Sequence, residues 1–422
     1  MALMTKDEYV ESQRAMKKRV LIMGQEVESL VDHPLVRPSL NACAMTYELA
    51  QLPEGAGLAR ATSNLTGKTV NRFTHLHQDA ADLVTKVKMQ RRLGQMTGCC
   101  FQRCVGMDAI NALDSVTYQM DEALGTGYHA AFRQYLRYVQ ERDLVADGAM
   151  TDPKGDRGLS PSQQADPDLF VRIVDRKPDG IVVRGAKLHQ TGALNAHEII
   201  VMPTRALAEQ DQDYAVAFAI PADAPGIVMI YGRQPSDTRK LENSEIDVGN
   251  RQFGGHEAII ILDNLFVPWE RVFMAGEVAF SGLLVERFAG YHRQSYGGCK
   301  TGVGDVLIGA AQALARYQGT DRASHVKDKI VEMVHLNETL YACGIACSAE
   351  GKPTPSGTYL IDLLLANVCK LNVTRFPYEI ARLAQDIAGG LLVTLPSERD
   401  LAHPEVGPYL DKYLRCVERY TT

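Results

Sequence analysis

The chain has 422 residues, 45% hydrophobic and 23% charged, an ordinary composition for a globular protein of two or three domains. Its net charge of −6 excludes a general attraction to nucleic acid or anionic membrane, and no apolar run approaches the ~20 residues that cross a bilayer. The start, Met1-Ala-Leu-Met-Thr-Lys-Asp-Glu8, lacks the apolar core of a secretion signal, so a cytoplasmic protein is expected, with its 9 irregularly spaced cysteines as free thiols or metal ligands.

From Lys6 to about Tyr138 the periodicity predicts helices, clearest over Ala81–Leu93 and Met107–Leu124. Asp32-His-Pro34 and Val36-Arg-Pro38 punctuate the first of them. Cys100-Phe-Gln-Arg-Cys104 falls inside a helical pattern, where sulfurs at i and i+4 face one side; Cys99 then points elsewhere. Such a pair reads either as ligands or as buried thiols behaving as small hydrophobes, as in the apolar stretch Cys343-Gly-Ile-Ala-Cys347. What sets the first pair apart is polar company (Gln102, Arg103, Asp108) and the thinning of the preceding helix by Gly94 and Gly98. Lys86, Lys88, Arg91 and Arg92 form a basic helical face, either solvated or meeting coenzyme phosphates. His75 and His77 read as exposed side chains before they read as a metal site. Thr66-Gly-Lys-Thr69 is no phosphate-binding loop, since Thr62 stands where the first glycine belongs.

The polar segment Met150-Thr-Asp-Pro-Lys-Gly-Asp-Arg-Gly158 marks a change of texture. Phe170–Asp175 and Ile181–Arg184 flank Lys177-Pro-Asp-Gly180 as a β-hairpin; Ile199–Met202, Tyr214–Ile220, Ile227–Tyr231 and Ala258–Leu262 continue as short strands. No regular helices separate them, which predicts an antiparallel barrel or sandwich. His189-Gln-Thr-Gly-Ala193 closes one strand with small and hydroxyl residues, as an ordinary turn or as contacts to a flat cofactor. Phe253-Gly-Gly-His-Glu257 sets a carboxylate before an apolar strand, solvated or serving as a base.

Helical periodicity returns near Ala279, over Leu283–Phe288, Val303–Tyr317, His325–Cys347 and Leu360–Cys369. Between the first two, Phe288-Ala-Gly-Tyr-His-Arg-Gln-Ser-Tyr-Gly-Gly-Cys-Lys300 gathers His, Arg, Tyr, Cys and Lys among small residues, as a functional segment or a polar loop capping a helix. Asp411–Tyr420 reads as the opening of a helix. The organisation expected is α+β: an N-terminal helical domain 1–147, a central antiparallel β domain 148–276, and a C-terminal helical bundle 277–422.

Cys100, Cys104, His292 and Cys299 together offer three thiolates and one imidazole, enough to hold an iron–sulfur cluster with one iron weakly and exchangeably bound. At these residues the chain resembles the 4-hydroxybutyryl-CoA dehydratase/vinylacetyl-CoA Δ-isomerase family. The resemblance also runs through Asn71-Arg-Phe73, Lys86–Arg91, Cys100–Asp108, Asp147–Gly158, Glu286–Asp305, Ser324–Lys329 and the strand Ile261–Trp269. It implies an acyl-CoA dehydrogenase-like fold, a homotetramer, and FAD beside a 4Fe–4S cluster held by Cys100, Cys104, His292 and Cys299. Flavin contacts would come from Met150, Thr151, Lys154, Gly155, Asp156 and Arg157, and from His189, Gln190 and Thr191. Catalytic groups would be His292, Glu257, Tyr296 and Lys300.

The implied reaction takes an acyl-CoA substrate, 4-hydroxybutyryl-CoA, to crotonyl-CoA by a flavin-assisted radical route with the cluster as Lewis acid. Vinylacetyl-CoA isomerisation would accompany it. Against the family pattern the C-terminal bundle is expected to be truncated. The rival expectations are an FAD-dependent aromatic monooxygenase of the 4-hydroxyphenylacetate 3-hydroxylase type, needing no cluster, and an inactive truncated scaffold.

Overall fold

In the computed structural model, which describes residues 3–233 and 237–417, the chain runs helical, then β, then helical. Thr5 opens it with a capping box to Glu8, starting the helix Lys6–Ala15. Arg37–Gln51, Ala80–Thr97, Cys104–Leu124 and Tyr128–Glu141 follow. Pro38 does not interrupt a helix; it sits in the first turn of Arg37–Gln51, where no N–H is needed. Short strands at Val20–Ile22, Gln25–Glu26, Arg60–Thr62 and Thr69–Asn71 lie among these helices. At 2 or 3 residues each they are too short to show an alternating pattern in the sequence.

The β region forms a six-stranded and a four-stranded sheet. The larger has the order Gln25–Glu26, Val20–Ile22, Ile227–Tyr231, Glu257–Pro268, Gly180–Thr191, Arg172–Lys177. The smaller has the order Val272–Ala275, Val216–Pro221, Glu198–Val201, Ala146–Ala149. The expected hairpin closes through Pro178 and Asp179, with Lys177 opposite Gly180. Most pairs are antiparallel, but Val20–Ile22 with Ile227–Tyr231 and Ala146–Ala149 with Glu198–Val201 are parallel. Inward residues of both sheets, such as Ile199, Val201 and Phe218 on one and Ile181, Ile260 and Leu262 on the other, share one core, so the sheets form a sandwich.

The C-terminal region is built on the helix Val278–Tyr317, 40 residues long. The segment 288–300, open as a loop in the sequence reading, lies in the middle of this helix. Ala80–Thr97, Cys104–Leu124, Ser324–Ala349, Leu363–Val373 and Phe376–Ala388 pack against it. Close approach explains its glycines: a Cβ at Gly302 would collide with the Arg91 carbonyl, and one at Gly94 would lie 2.7 Å from the Cys299 carbonyl. The last described helix is Gly407–Tyr413; it begins ahead of Asp411, and residues 418–420 of the expected helix lie outside the described residues. Among the described residues, no helix is long and apolar enough to cross a membrane.

Candidate active site

Helix Ala80–Thr97 starts on the Asp79 side chain and stops at Gly98, whose φ is +61°. Cys99 to Arg103 then turn the chain into helix Cys104–Leu124. Cys100 and Cys104 therefore do not share a helix: Cys100 lies in the turn and Cys104 is the first helical residue. The turn is held by Gln102, in a left-handed conformation (φ +56°). Its side chain donates to the His256 carbonyl at 2.6 Å and accepts from Asn195 Nδ2 at 3.0 Å, riveting the cysteines to the β sandwich.

Across from this turn, the long helix presents His292, Tyr296, Cys299 and Lys300 at helical spacing on one face. Tyr296 meets the His292 ring edge-on at 5.0 Å, and Phe288 stacks parallel to it at 5.8 Å. Lys370, on Leu363–Val373, places its ammonium 4.7 Å from the Tyr296 ring. The third wall is the segment 253–257 and the start of strand Glu257–Pro268, where Glu257 pairs in register with Thr191. Together these enclose a cleft of about 770 Å³ lined by Cys99, Cys100, Cys104, Glu257, His292 and Cys299, with Thr191, Tyr296, Lys300 and Lys370. Cys99, expected to point elsewhere, lines it too. Cys343 and Cys347 do not; Cys347 is a buried thiol bonded to the Gly344 carbonyl.

Charge in the cleft is uneven. A hydrogen bond to Cys104, with Lys300 and His292 nearby, brings Cys299 down to about 7 against the effect of burial. Burial holds Cys104 well up and Cys100 at about 11. Gln90 Nε2 donates to Cys104 Sγ at 3.2 Å. The negative charge of a Cys299 thiolate raises Lys300, which stays cationic. Burial raises Glu257, outweighing the Thr191 hydrogen bond and Lys300. Burial lifts the Tyr296 hydroxyl to about 12, keeping it a donor. Among the described residues, no three His, Cys, Asp or Glu side chains gather closely enough for a single metal ion.

The flavin-contact expectations distribute differently. Thr191 lines the cleft, and its hydroxyl belongs to Glu257. Met150 and Thr151 lie against the end of strand Gly180–Thr191, where the Thr151 carbonyl accepts from Leu188 N at 2.8 Å and Gln190 Nε2 at 3.2 Å. His189 sits in a bulge of that strand with φ +55°, which turns it out of the sheet to an exposed position. Lys154, Gly155, Asp156 and Arg157 are exposed, and Asp156 N donates to Gln164 Oε1 at 2.9 Å. None of these except Thr191 lines the cleft.

Two expectations are corrected outside the cleft. His75 and His77 are buried, and His75 bonds Asp82 at 2.8 Å. The basic face divides: Lys88 and Arg92 are exposed, Arg91 pairs with Asp305 and Glu338, and Lys86 is wholly buried. Gln102, Asp108, Lys86 and Lys370 are the neighbours that sequence reasoning did not assign to the site. Only the polarity of Gln102 and Asp108 beside the cysteines had signalled them.

The fold is shared with flavin-binding hydroxylases and acyl-CoA dehydrogenases. Family models described as 4-hydroxyphenylacetate 3-hydroxylase N terminal and C terminal match residues 5–274 and 281–422. An FAD complex of the oxygenase component of 4-hydroxyphenylacetate 3-monooxygenase superposes with a TM-score of 0.86 at 25% identity, covering 98% of this chain and 85% of that one. Glutaryl-CoA dehydrogenase shares the fold at a TM-score of 0.51 and 16% identity, over 76% of this chain and 73% of its own.

Stronger likeness lies within this class. The 4-hydroxybutyryl-CoA dehydratase/vinylacetyl-CoA-Δ-isomerase of Clostridium aminobutyricum is 62% identical over 100% of this chain and 88% of its own length. The oxygen-tolerant archaeal 4-hydroxybutyryl-CoA dehydratase from N. maritimus superposes with a TM-score of 0.96 at 58% identity, covering 98% of this chain and 82% of that one. The chain belongs to the 4-hydroxybutyryl-CoA dehydratase/vinylacetyl-CoA-Δ-isomerase family.

Proposed function

We propose that this protein dehydrates 4-hydroxybutyryl-CoA to crotonyl-CoA and isomerises vinylacetyl-CoA to the same product. The observation that carries the reading is one cleft lined by Cys100, Cys104, Cys299, His292 and Glu257, in a chain 62% identical to an enzyme bearing both names. The donor set fits a 4Fe–4S cluster on Cys100, Cys104, His292 and Cys299. Such a cluster takes one side chain at each iron, so its ligands ring a space instead of converging on a point. FAD would lie against Met150–Arg157 and His189–Thr191. When bound, the cluster supplies a Lewis acid for a leaving hydroxyl and FAD a reversible electron acceptor.

Dehydration removes hydrogens from C2 and C3 and the hydroxyl from C4, and returns one proton to C4. Isomerisation needs only removal of a proton from C2 and its return at C4. Glu257 and His292 are the two groups in the cleft able to move these protons, Glu257 from the sheet side and His292 from the helix side. Lys300 and Tyr296 are donors suited to the thioester carbonyl or the departing oxygen. Lys370 adds positive charge at the wall of the same cleft, where an anionic coenzyme would enter.

Exposed apolar side chains on the C-terminal helices, including Val331, Leu364, Tyr378 and Val393, support contact with further copies, and the homotetramer and cytoplasmic location are carried over from the family resemblance. Anaerobic purification tests the whole reading. Iron and sulfide near four per chain, bound FAD and formation of crotonyl-CoA are expected. The rival FAD-dependent aromatic monooxygenase draws on relatives such as the Thermus thermophilus oxygenase component, 28% identical. Protein free of iron that hydroxylates a phenol with reduced FAD would establish that rival instead.

A further inference from the structure

Lys86 and Asp108 have fully buried side chains, with Lys86 Nζ 2.6 Å from Asp108 Oδ1. Lys86 also donates to the Tyr291 carbonyl at 3.2 Å. Replacing a buried ion pair by apolar residues is often neutral or stabilising, so burial alone gives this pair no purpose. Its purpose lies in the third partner. Asp108 Oδ2 is 3.0 Å from Nδ1 of His292, and Ser295 Oγ lies 3.3 Å from the same oxygen.

Donor and acceptor chemistry then fixes the imidazole. An ammonium only donates and a carboxylate only accepts, so His292 Nδ1 must carry the proton that points to Asp108. Its lone pair is left on Nε2 alone. Phe288 and Tyr296 pack against the ring, and the Asp108 contact holds Nδ1, not Nε2, toward the buried carboxylate.

We infer that Lys86 and Asp108 are positioning residues that lock His292 into the single tautomer whose Nε2 is free to bind iron or take a proton. The inference rests on the function proposed above. It predicts a specific failure in Asp108→Asn. Lys86 claims the amide oxygen, the amide NH2 faces Nδ1, and the imidazole must carry its proton on Nε2 instead.

The test uses the full protein, purified anaerobically and labelled with 15N-histidine. Asp108→Asn is expected to keep FAD and lose the histidine-nitrogen coupling in pulsed EPR of the reduced cluster. Its kcat for dehydration should fall about 10–100-fold with little change in KM. Adding Lys86→Gln gives the amide NH2 an acceptor, turns its oxygen back to His292, and should restore coupling and most of the lost rate. Unchanged coupling and kcat in Asp108→Asn, or a double variant no better than the single one, overturns the inference.

If Asp108→Asn does not fold, wild-type protein labelled at only one imidazole nitrogen decides. Strong coupling from the Nε2 label supports the lock, and strong coupling from the Nδ1 label overturns it alone. A wild-type preparation without a histidine-coupled cluster overturns the ligand assignment, and the lock with it.

Discussion

Thr191 Oγ1 lies 2.7 Å from both carboxylate oxygens of Glu257. The two residues face each other across the antiparallel pair formed by Gly180–Thr191 and Glu257–Pro268, so sheet register, not loop conformation, delivers the carboxylate to the cleft. One hydroxyl proton shared between two acceptors holds the group in a fixed plane while favouring its charged form.

Thr191→Val removes that donor and keeps the shape. Burial already raises the Glu257 pKa, and losing the hydroxyl raises it further. A base must be ionised, so the acid limb of the pH–rate profile for isomerisation should move to higher pH. A profile superimposable on that of the wild type would exclude Glu257 as the base.

His197 and His256 make stability fall in acid. His197 accepts from Val145 N at 2.9 Å, and His256 accepts from Leu194 N at 3.1 Å, so each ring needs a bare nitrogen. Burial drives both down to about 3, far below the usual 6.5. Their contribution is complete above about pH 6.5 and is lost as pH falls toward 3, at most about 1.4 kcal/mol per pH unit for each. Denaturant midpoints measured from pH 7 to 4 should show this slope, and His197→Gln with His256→Gln should flatten it. An equal slope in the double variant refutes the assignment.

Cys299→Ala should abolish the brown absorbance of the cluster and dehydration together. Iron analysis and a crotonyl-CoA assay on the same anaerobic sample check it. Dehydration that survives without iron sinks the Lewis-acid role.

Gly302→Ala drives a methyl group into the Arg91 carbonyl of the neighbouring helix. Because the obstacle is backbone, relief requires helices to separate, costing about 1–3 kcal/mol or more. Thermal unfolding should report a clear drop, whereas Gly309→Ala, with open space around it, should not lower stability.

The order helix, sheet, helix was legible because periodicity survives over long elements, and the hairpin at 177–180 was legible from Pro178, Asp179 and Gly180. The segment 288–300 was left open between a functional segment and a capping loop; in the fold its Gly290, Gly297 and Gly298 are contact points where other chain segments approach the helix. Cys100 was placed on a helix because nothing local announced the left-handed Gln102. Lys86 read as solvated or meeting coenzyme phosphates because its partner Asp108 stands 22 positions on, and sequence spacing does not reveal pairings between separate helices. Cys100, Cys104, His292 and Cys299 were singled out for the opposite reason: their chemistry was unusual enough to be noticed without geometry, and the fold brings all four to one cleft.

His292, Tyr296, Cys299 and Lys300 ride on one uninterrupted rod, so their mutual spacing cannot be retuned one residue at a time. A shift that suits one of them carries the other three along. Divergence toward a longer or bulkier acyl chain must therefore work through the other walls, the stretch 250–257 and the helix bearing Lys370 and Val373, with Thr374 at its end. Relatives with altered chain-length preference should differ there and keep the rod unchanged.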